Sequence, residues 1–452
     1  MNFSIVLLVI LVCLLGLFGV GCAANRPFRT SFEPCDTSQS LANCAQAVIE
    51  TSPGYKLGFV EFDDQGWFWD RRQLGAVTNL IRSEAGLRVP AAPQGIIIVL
   101  FVHGWKNNAA SDNRNVQMFR ATLTELSKAE QVQSGLDNRP ARKVVGVYGA
   151  WRGLSAMIEP FKELSFWERK TTAHKVGHGA MTELLAELEN LQIESNAALP
   201  AGAPRTELVI VGHSFGGAAV YSAISQIVTE RFVDTIEHGK PLKPLGDVVI
   251  LLNPAFEASR HYNLNELAVS IPRYPDTQRP VLAIFTSKGD WATHYAFPIG
   301  RFFSTLFEKN RVDKPQRAAN RDAVGWFGPF LTHALIYNAN ATNSASTHTT
   351  VNVQTRRFEP HNHEQMRESI RNAHEQRQKW HPNAPSPAIY SFDDCLLKPR
   401  DTFRPGDPLF IVSVDKKIMN GHDDITNPLL INFLREFILF CQKNPIQRPE
   451  SH

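Results

Sequence analysis

Ser214 stands where a serine can act as a nucleophile. It lies in Glu207–Val220, ELVIVGHSFGGAAV. A short apolar run, Leu208 to Val211, ends in Gly212-His213-Ser214-Phe215-Gly216, and small and apolar residues at helical spacing follow. That order predicts strand, sharp turn and helix, with one serine at the apex. The turn is too tight for side chains at Gly212 and Gly216, which would meet the neighbouring strand and helix. The helix N-terminus would aim at any oxyanion formed there. The plainer alternative is an ordinary strand–helix turn in which Ser214 caps the helix. A serine hydroxyl attacks poorly until an imidazole takes its proton, and the imidazole needs a carboxylate to hold its tautomer. Both partners belong just past the C-terminal ends of later strands, where open parallel sheets bind ligands. Asp290 fits: the run Val281–Thr286 is followed by Ser287-Lys288-Gly289-Asp290. Glu257, in LLNPAFEA, is the second choice of acid. For the base, Leu409–Val414 is the last strand, and His422 follows it in KKIMNGHDD. Among 15 histidines, His294, just after Asp290, is its main competitor.

These residues need a scaffold that aligns loop ends. Tyr55–Phe62, Gly95–Val102, Lys143–Tyr148 and Asp247–Leu252 read as further strands. GIIIVLFV at 95–102 is continuous rather than alternating, as expected of a strand buried on both faces of a parallel sheet. Helical patterns cover Arg71–Leu87, Asn113–Glu130, Ala173–Leu191 and Pro428–Cys441. Strands alternating with helices predict right-handed crossovers and a mostly parallel sheet flanked by helices. A stretch of more than a hundred residues before the last strand, about 294–400, reads as an insertion. It is first aromatic-rich (Phe297 to Phe330), then polar (Asn338 to Thr355), and is expected to cap the site. An ordinary crossover helix with a disordered excursion is the other possibility.

Directly after the 95–102 strand comes His103-Gly104-Trp105. An HGW after one strand and GHSFGG after a later one, together, resemble the α/β-hydrolase superfamily on its lipase and esterase side. The resemblance covers roughly residues 55–445. It implies an eight-stranded, mostly parallel sheet and the triad Ser214, Asp290 and His422 in the order nucleophile, acid, base. It also implies an oxyanion hole from the N–H groups of Trp105 and Phe215, with a structural His103. The implied activity is a serine hydrolase cleaving carboxylic esters, with no cofactor and a small-molecule or lipid ester as substrate. Thioester, amide or acyl-transfer chemistry stays open. The alternative of another class is an interaction protein that keeps the scaffold without the chemistry. The insertion and the Trp151-Arg152-Gly153 segment depart from compact esterases. Arg152 and Lys170 are either an anion-accepting rim or plain surface charge.

The 452 residues, 43% hydrophobic, suffice for one large domain. A formal charge of +3 with no basic stripe argues against a nucleic-acid partner. Residues 3–20, FSIVLLVILVCLLGLFGV, are almost unbroken apolar, and Gly21-Cys22 follows. Residues 1–22 are therefore expected to be a signal peptide or membrane anchor. Cys22 is the lipidation candidate of a bacterial envelope lipoprotein, although Gly19 and the uncharged Met1-Asn2 depart from such signals. A secreted form and an uncleaved anchor are the alternatives. Residues 23–54, polar and turn-rich, are expected to be a tether, with a disulfide between Cys35 and Cys44. Cys441 reads as a buried free thiol. No C-x-x-C spacing points to zinc, and His361, His363 and Glu364 in a polar stretch are a weak metal candidate.

Overall fold

Apolar runs without alternation become strands covered on both faces. The computed structural model describes residues 25–88, 91–154, 161–305, 308–309, 313–338, 363–381 and 387–442. The expected leader with Cys22, His361 and most of the polar stretch 338–355 lie outside these residues. The strands are β1 (Cys35–Asp36), β2 (Ile49–Ser52), β3 (Tyr55–Phe62), β4 (Ile96–Val102), β5 (Lys143–Trp151) and β6 (Glu207–His213). They continue as β7 (Val248–Leu252), β8 (Leu282–Ser287), β9 (His333–Tyr337), β10 (Tyr390–Phe392), β11 (Cys395–Pro399) and β12 (Leu409–Val414). All lie in one sheet of order β1-β2-β3-β5-β4-β6-β7-β8-β12-β9-β11-β10. From β3 to β9 in that order every neighbouring pair is parallel. The expected count of eight strands is thus corrected to 12. Seven of these were read as strands in the sequence; the five that were not are the short β1, β2, β9, β10 and β11. They carry no long apolar run, and only their pairing partners make them strands.

Three of the described helices start where a side chain caps them. Asp70 accepts from the Arg72 N–H at the start of α1 (Arg71–Glu84), and Asn113 accepts from the Asn115 N–H at α2 (Arg114–Leu136). Then follow α3 (Phe161–Val176), α4 (Thr182–Ala198), α5 (Phe215–His238), α6 (Ala258–Ser270), α7 (Phe297–Ser304), α8 (Asp313–Arg321) and α9 (His363–Gln378). Asn427 caps α10 (Pro428–Cys441), whose first residue is a proline. The alternation of β4 divides two cores. Ile98, Leu100 and Val102 pack with Leu184 and Leu188 of α4 and Phe215 of α5. Ile97, Val99 and Phe101 pack on the opposite face with Phe119 and Leu123 of α2 and Phe437 of α10. Among the described residues no helix is long and apolar enough to cross a membrane.

The strand order turns round at β4. From β4 the chain crosses through α2 to β5 on one side, then returns through α3 and α4 to β6 on the other. The loops after β4 and β6 therefore diverge over opposite faces and leave a crevice between them, which is where open parallel sheets bind ligands. His103 and Gly104 follow β4, and Ser214 follows β6.

Two expectations about organisation change. The segment 23–54 is not a tether from Phe28 onward. Arg29 is fully buried; it donates to Glu50 at 2.7 Å, to Ala109 O at 2.7 Å and to Cys44 O at 3.1 Å. Glu50 in turn pairs with Arg120 of α2, and Cys35 and Cys44 form the expected disulfide. Buried charges are tolerated only when paired and hydrogen-bonded, and residues so far apart in sequence leave no local pattern. The 294–400 insertion is mostly not a cap. β9, β11 and β10 extend the sheet beyond β12, and α9 lays Met366, Ile370 and Ala373 against Ala129 and Val132 of α2 and Leu439 of α10.

Candidate active site

Ser214 sits between β6 and α5 with φ 55° and ψ −121°. A non-glycine residue there is strained, and such strain persists only where the surroundings impose it. They do: a Cβ on Gly216 would lie 2.2 Å from Val102 O and 2.5 Å from His103 O. The helix start is thus pressed onto the end of β4, as the two elbow glycines led us to expect. Ser214 occupies the N-cap position but makes no capping bond. Its Oγ lies instead 2.7 Å from His422 Nε2, so the capping alternative fails.

His422 is brought there by the loop after β12. Its Nδ1 is 2.9 Å from Asp290 Oδ2, which follows β8. The three residues expected from sequence therefore form one hydrogen-bonded chain. Asp290 is buried and also accepts from Thr293, at 3.1 Å from the backbone N–H and 2.5 Å from Oγ1. Trp326 Nε1 donates to the same Thr293 Oγ1 at 2.9 Å. Burial pushes the Asp290 carboxyl up, but the charge and hydrogen bond of His422 and the Thr293 bonds outweigh it and hold it below the ordinary value. For His422 burial pulls down, and the Asp290 charge and hydrogen bond more than compensate, so its pKa is raised. The His422 side chain is 20% exposed, so the chain of groups opens to solvent at the base.

The base loop is held by residues the sequence reading did not single out. Asn253, directly after β7, is fully buried in the left-handed region with φ 44°. Its Nδ2 donates to Gly421 O at 3.1 Å and His422 O at 2.9 Å, while its Oδ1 accepts from Ser287 N at 2.8 Å. Ser287 Oγ donates to Met419 O and accepts from Gly289 N at 2.9 Å. His213 Nε2 lies 2.9 Å from the His422 carbonyl oxygen, to which it donates, and burial holds its pKa down at about 4. The only available signal was an asparagine before proline at the end of a strand in LLNPAFEA. Loss of one such brace misplaces the base, and a misplacement of about 1 Å costs roughly 10²-fold. Asn253→Ala is expected to lower kcat on an activated ester by about 10- to 100-fold with KM little changed. Steady-state kinetics on protein with a matched Tm checks this; an unchanged kcat would remove Asn253 from the site.

On the other side, Gly104 abuts Ser214: a Cβ there would lie 2.6 Å from Ser214 Cβ. His103 is structural, as expected. Its Nε2 accepts from Trp151 N at 3.1 Å, so its Nδ1 carries the proton and donates to Gly104 O at 2.9 Å. Burial holds its pKa down at about 4. In a trans peptide the C=O and the next N–H point opposite ways. Fixing the Gly104 carbonyl on His103 therefore turns the Trp105 N–H away from that ring. The Trp151-Arg152-Gly153 segment braces the same loop, with Lys106 N donating to Gly153 O and Gly153 N to Asn107 O, both at 3.0 Å. Phe215 N–H belongs to the first turn of α5, where helix donors have no intrahelical acceptor. Of the five non-glycine residues with positive φ among those described, Lys106, Ser214 and Asn253 surround this site.

The remaining candidates lie elsewhere. Glu257 is buried and bound by Lys170, Arg260 and Arg301, so it is not the acid. Its Lys170 partner is neither surface charge nor an anion rim, and Arg152 pairs with Asp64. His294 stacks on Trp326 at 3.7 Å and takes no part in the chain to Ser214. His363 opens α9, and Glu364 pairs with Arg371. His213, His422 and Asp423 come close enough to hold a cation, but both ring nitrogens of His422 are already engaged with Asp290 and Ser214. An apolar cavity of about 150 Å³ lies between α2, α10 and the sheet, lined by Val99, Val209 and Leu434 among others; none of Ser214, Asp290 and His422 lines it. In comparisons with known proteins, no family model, no curated protein and no solved structure matched this chain.

Proposed function

We propose that the chain is a serine hydrolase of carboxylic esters built on an α/β-hydrolase scaffold. The single observation that carries this reading is the chain Ser214 Oγ–His422 Nε2 at 2.7 Å and His422 Nδ1–Asp290 Oδ2 at 2.9 Å. A strained serine freed from capping, an imidazole in reach of it and a buried carboxylate are what acyl transfer requires. His422 takes the proton as Ser214 attacks the carbonyl carbon. The Trp105 and Phe215 N–H groups hold the oxyanion, each worth roughly 10²–10³ in rate. The proton on His422 Nε2 passes to the departing alcohol, and water then cleaves the acyl-enzyme with His422 again as base. Retained strain at Ser214 costs on the order of 1–3 kcal/mol, which speaks against a scaffold that has lost its chemistry.

A fluorophosphonate tests the reading. It is expected to leave one phosphonyl adduct on the wild type, mapped by peptide mass spectrometry to Ser214, and none on Ser214→Ala. An adduct elsewhere, or equal labelling of the variant, would remove the assignment.

A further inference from the structure

The helical stretch that follows Asp290 is amphipathic in the unusual sense. Residues 291–300, WATHYAFPIG, contain no Asp, Glu, Lys or Arg. Helical backbone runs from Trp291 through a wide turn at Ala292–Ala296 into α7. The inner face seats the site: Thr293 is buried on Asp290, and Phe297 is fully buried. The outer face, at intervals of one helical turn, exposes Trp291 (66%), Tyr295 (52%), Ile299 (59%) and Phe302 (42%). A helix on the surface of a soluble domain ordinarily turns charged and polar residues outward. Here the outward face is apolar with two aromatic side chains that carry a polar tip.

The rim of this face is basic. α8 packs beside α7, and its Lys314 and Arg317 are exposed. Arg321 of the same helix lies over the Phe302 ring at 4.8 Å. An apolar stripe with Trp and Tyr, bordered by Lys and Arg, is the chemistry of a segment that lies in the headgroup layer of an anionic bilayer. The apolar run at residues 3–20 of the sequence supplies a reason for the chain to meet such a surface.

We propose that the outer face of residues 291–302 docks on an anionic phospholipid surface. The helix would enter the interface with Trp291, Tyr295, Ile299 and Phe302, and the basic α8 would face the headgroups. Because the inner face of the same turn holds Asp290, docking sets the candidate site at the membrane surface. The docking does not require Ser214 to be a nucleophile, so its test reads depth of insertion and not turnover.

The full chain, reconstituted in phosphatidylcholine vesicles with brominated acyl chains, is compared with and without brominated phosphatidylglycerol. Tryptophan emission is expected to be quenched more strongly in the anionic vesicles. About 1 M salt, where the screening length is roughly 3 Å, should relieve that increment while the chain stays vesicle-bound. Trp291→Phe is expected to lose most of the quenching, and Lys314→Glu with Arg317→Glu to lose its dependence on phosphatidylglycerol. Quenching in Trp291→Phe equal to wild type, or no difference between the two vesicles, would overturn the proposal. A blue shift of Trp291 emission that grows with protein concentration in detergent alone would assign this face to a second copy of the chain, and would overturn it as well.

Discussion

His422→Ala is expected to lower kcat on an activated ester by roughly 10³-fold or more. His422 Nε2 is the ring nitrogen that reaches Ser214 Oγ, at 2.7 Å. Without it the hydroxyl keeps its proton, and attack on the carbonyl carbon loses its base. The members of such a unit are strongly non-additive, because each works only through the others. Adding Ser214→Ala to His422→Ala should therefore cost little further. Kinetics on the two single variants and the double variant decide the matter. Two losses that multiply would mean that the residues act separately, and the assigned chain would be wrong. Melting temperatures are compared first, because His422 also packs near His213, at 5.2 Å between ring centres, and lost folding must not be read as lost chemistry.

Asp290→Asn should lower the rate by about 10⁴-fold, the magnitude known for this change in a serine protease triad, and should also move the pH profile. Asp290 raises the His422 pKa through its charge and its hydrogen bond, against the downward pull of burial. Only the neutral imidazole can take the serine proton, so activity rises as pH increases through that raised pKa. Removing the negative charge lowers the pKa of His422, and the acid limb should shift to lower pH even as the plateau falls. A plateau loss without that shift would place the effect in folding or packing, since Thr293 is bound to the same carboxylate and Trp326 to Thr293. An unchanged profile and rate would take the acid role away from Asp290; Glu257 cannot inherit it while it is held by Lys170, Arg260 and Arg301.

How much of this is legible in the sequence varies with the range of the interaction. Apolar runs marked β4 to β8 and β12, and alternation marked β3, because burial leaves a pattern within a single segment. Ser214 was legible for the same reason: a strand, two glycines around a serine and a helix are contiguous, and the tightness that demands Gly212 is local, a Cβ there lying 2.8 Å from Gly217 Cα. Asp290 and His422 were legible by position, since loops after parallel strands share one edge of the sheet. The elements missed were those whose reasons lie far away in the chain. Arg29 is inside because Glu50, Ala109 and Cys44 meet it there, and a polar, turn-rich stretch gave no sign of such partners. β9, β10 and β11 are strands because they pair with β12 and with one another, not because of their own composition.

The sequence by itself determined which side chains are available for the proposed acyl-transfer chemistry and on which edge of a parallel sheet they must stand. Tertiary structure decided the rest. It selected His422 over His294 by placing one imidazole on Ser214 and stacking the other on Trp326. It selected Asp290 over Glu257 by enclosing the latter among three cations. It also recruited Asn253, whose left-handed backbone and two bonds to the 421–422 carbonyls fix the base loop. Those choices depend on distances of about 3 Å between residues far apart in sequence, and such distances are set only when the strands pair and the loops between them have nowhere else to go.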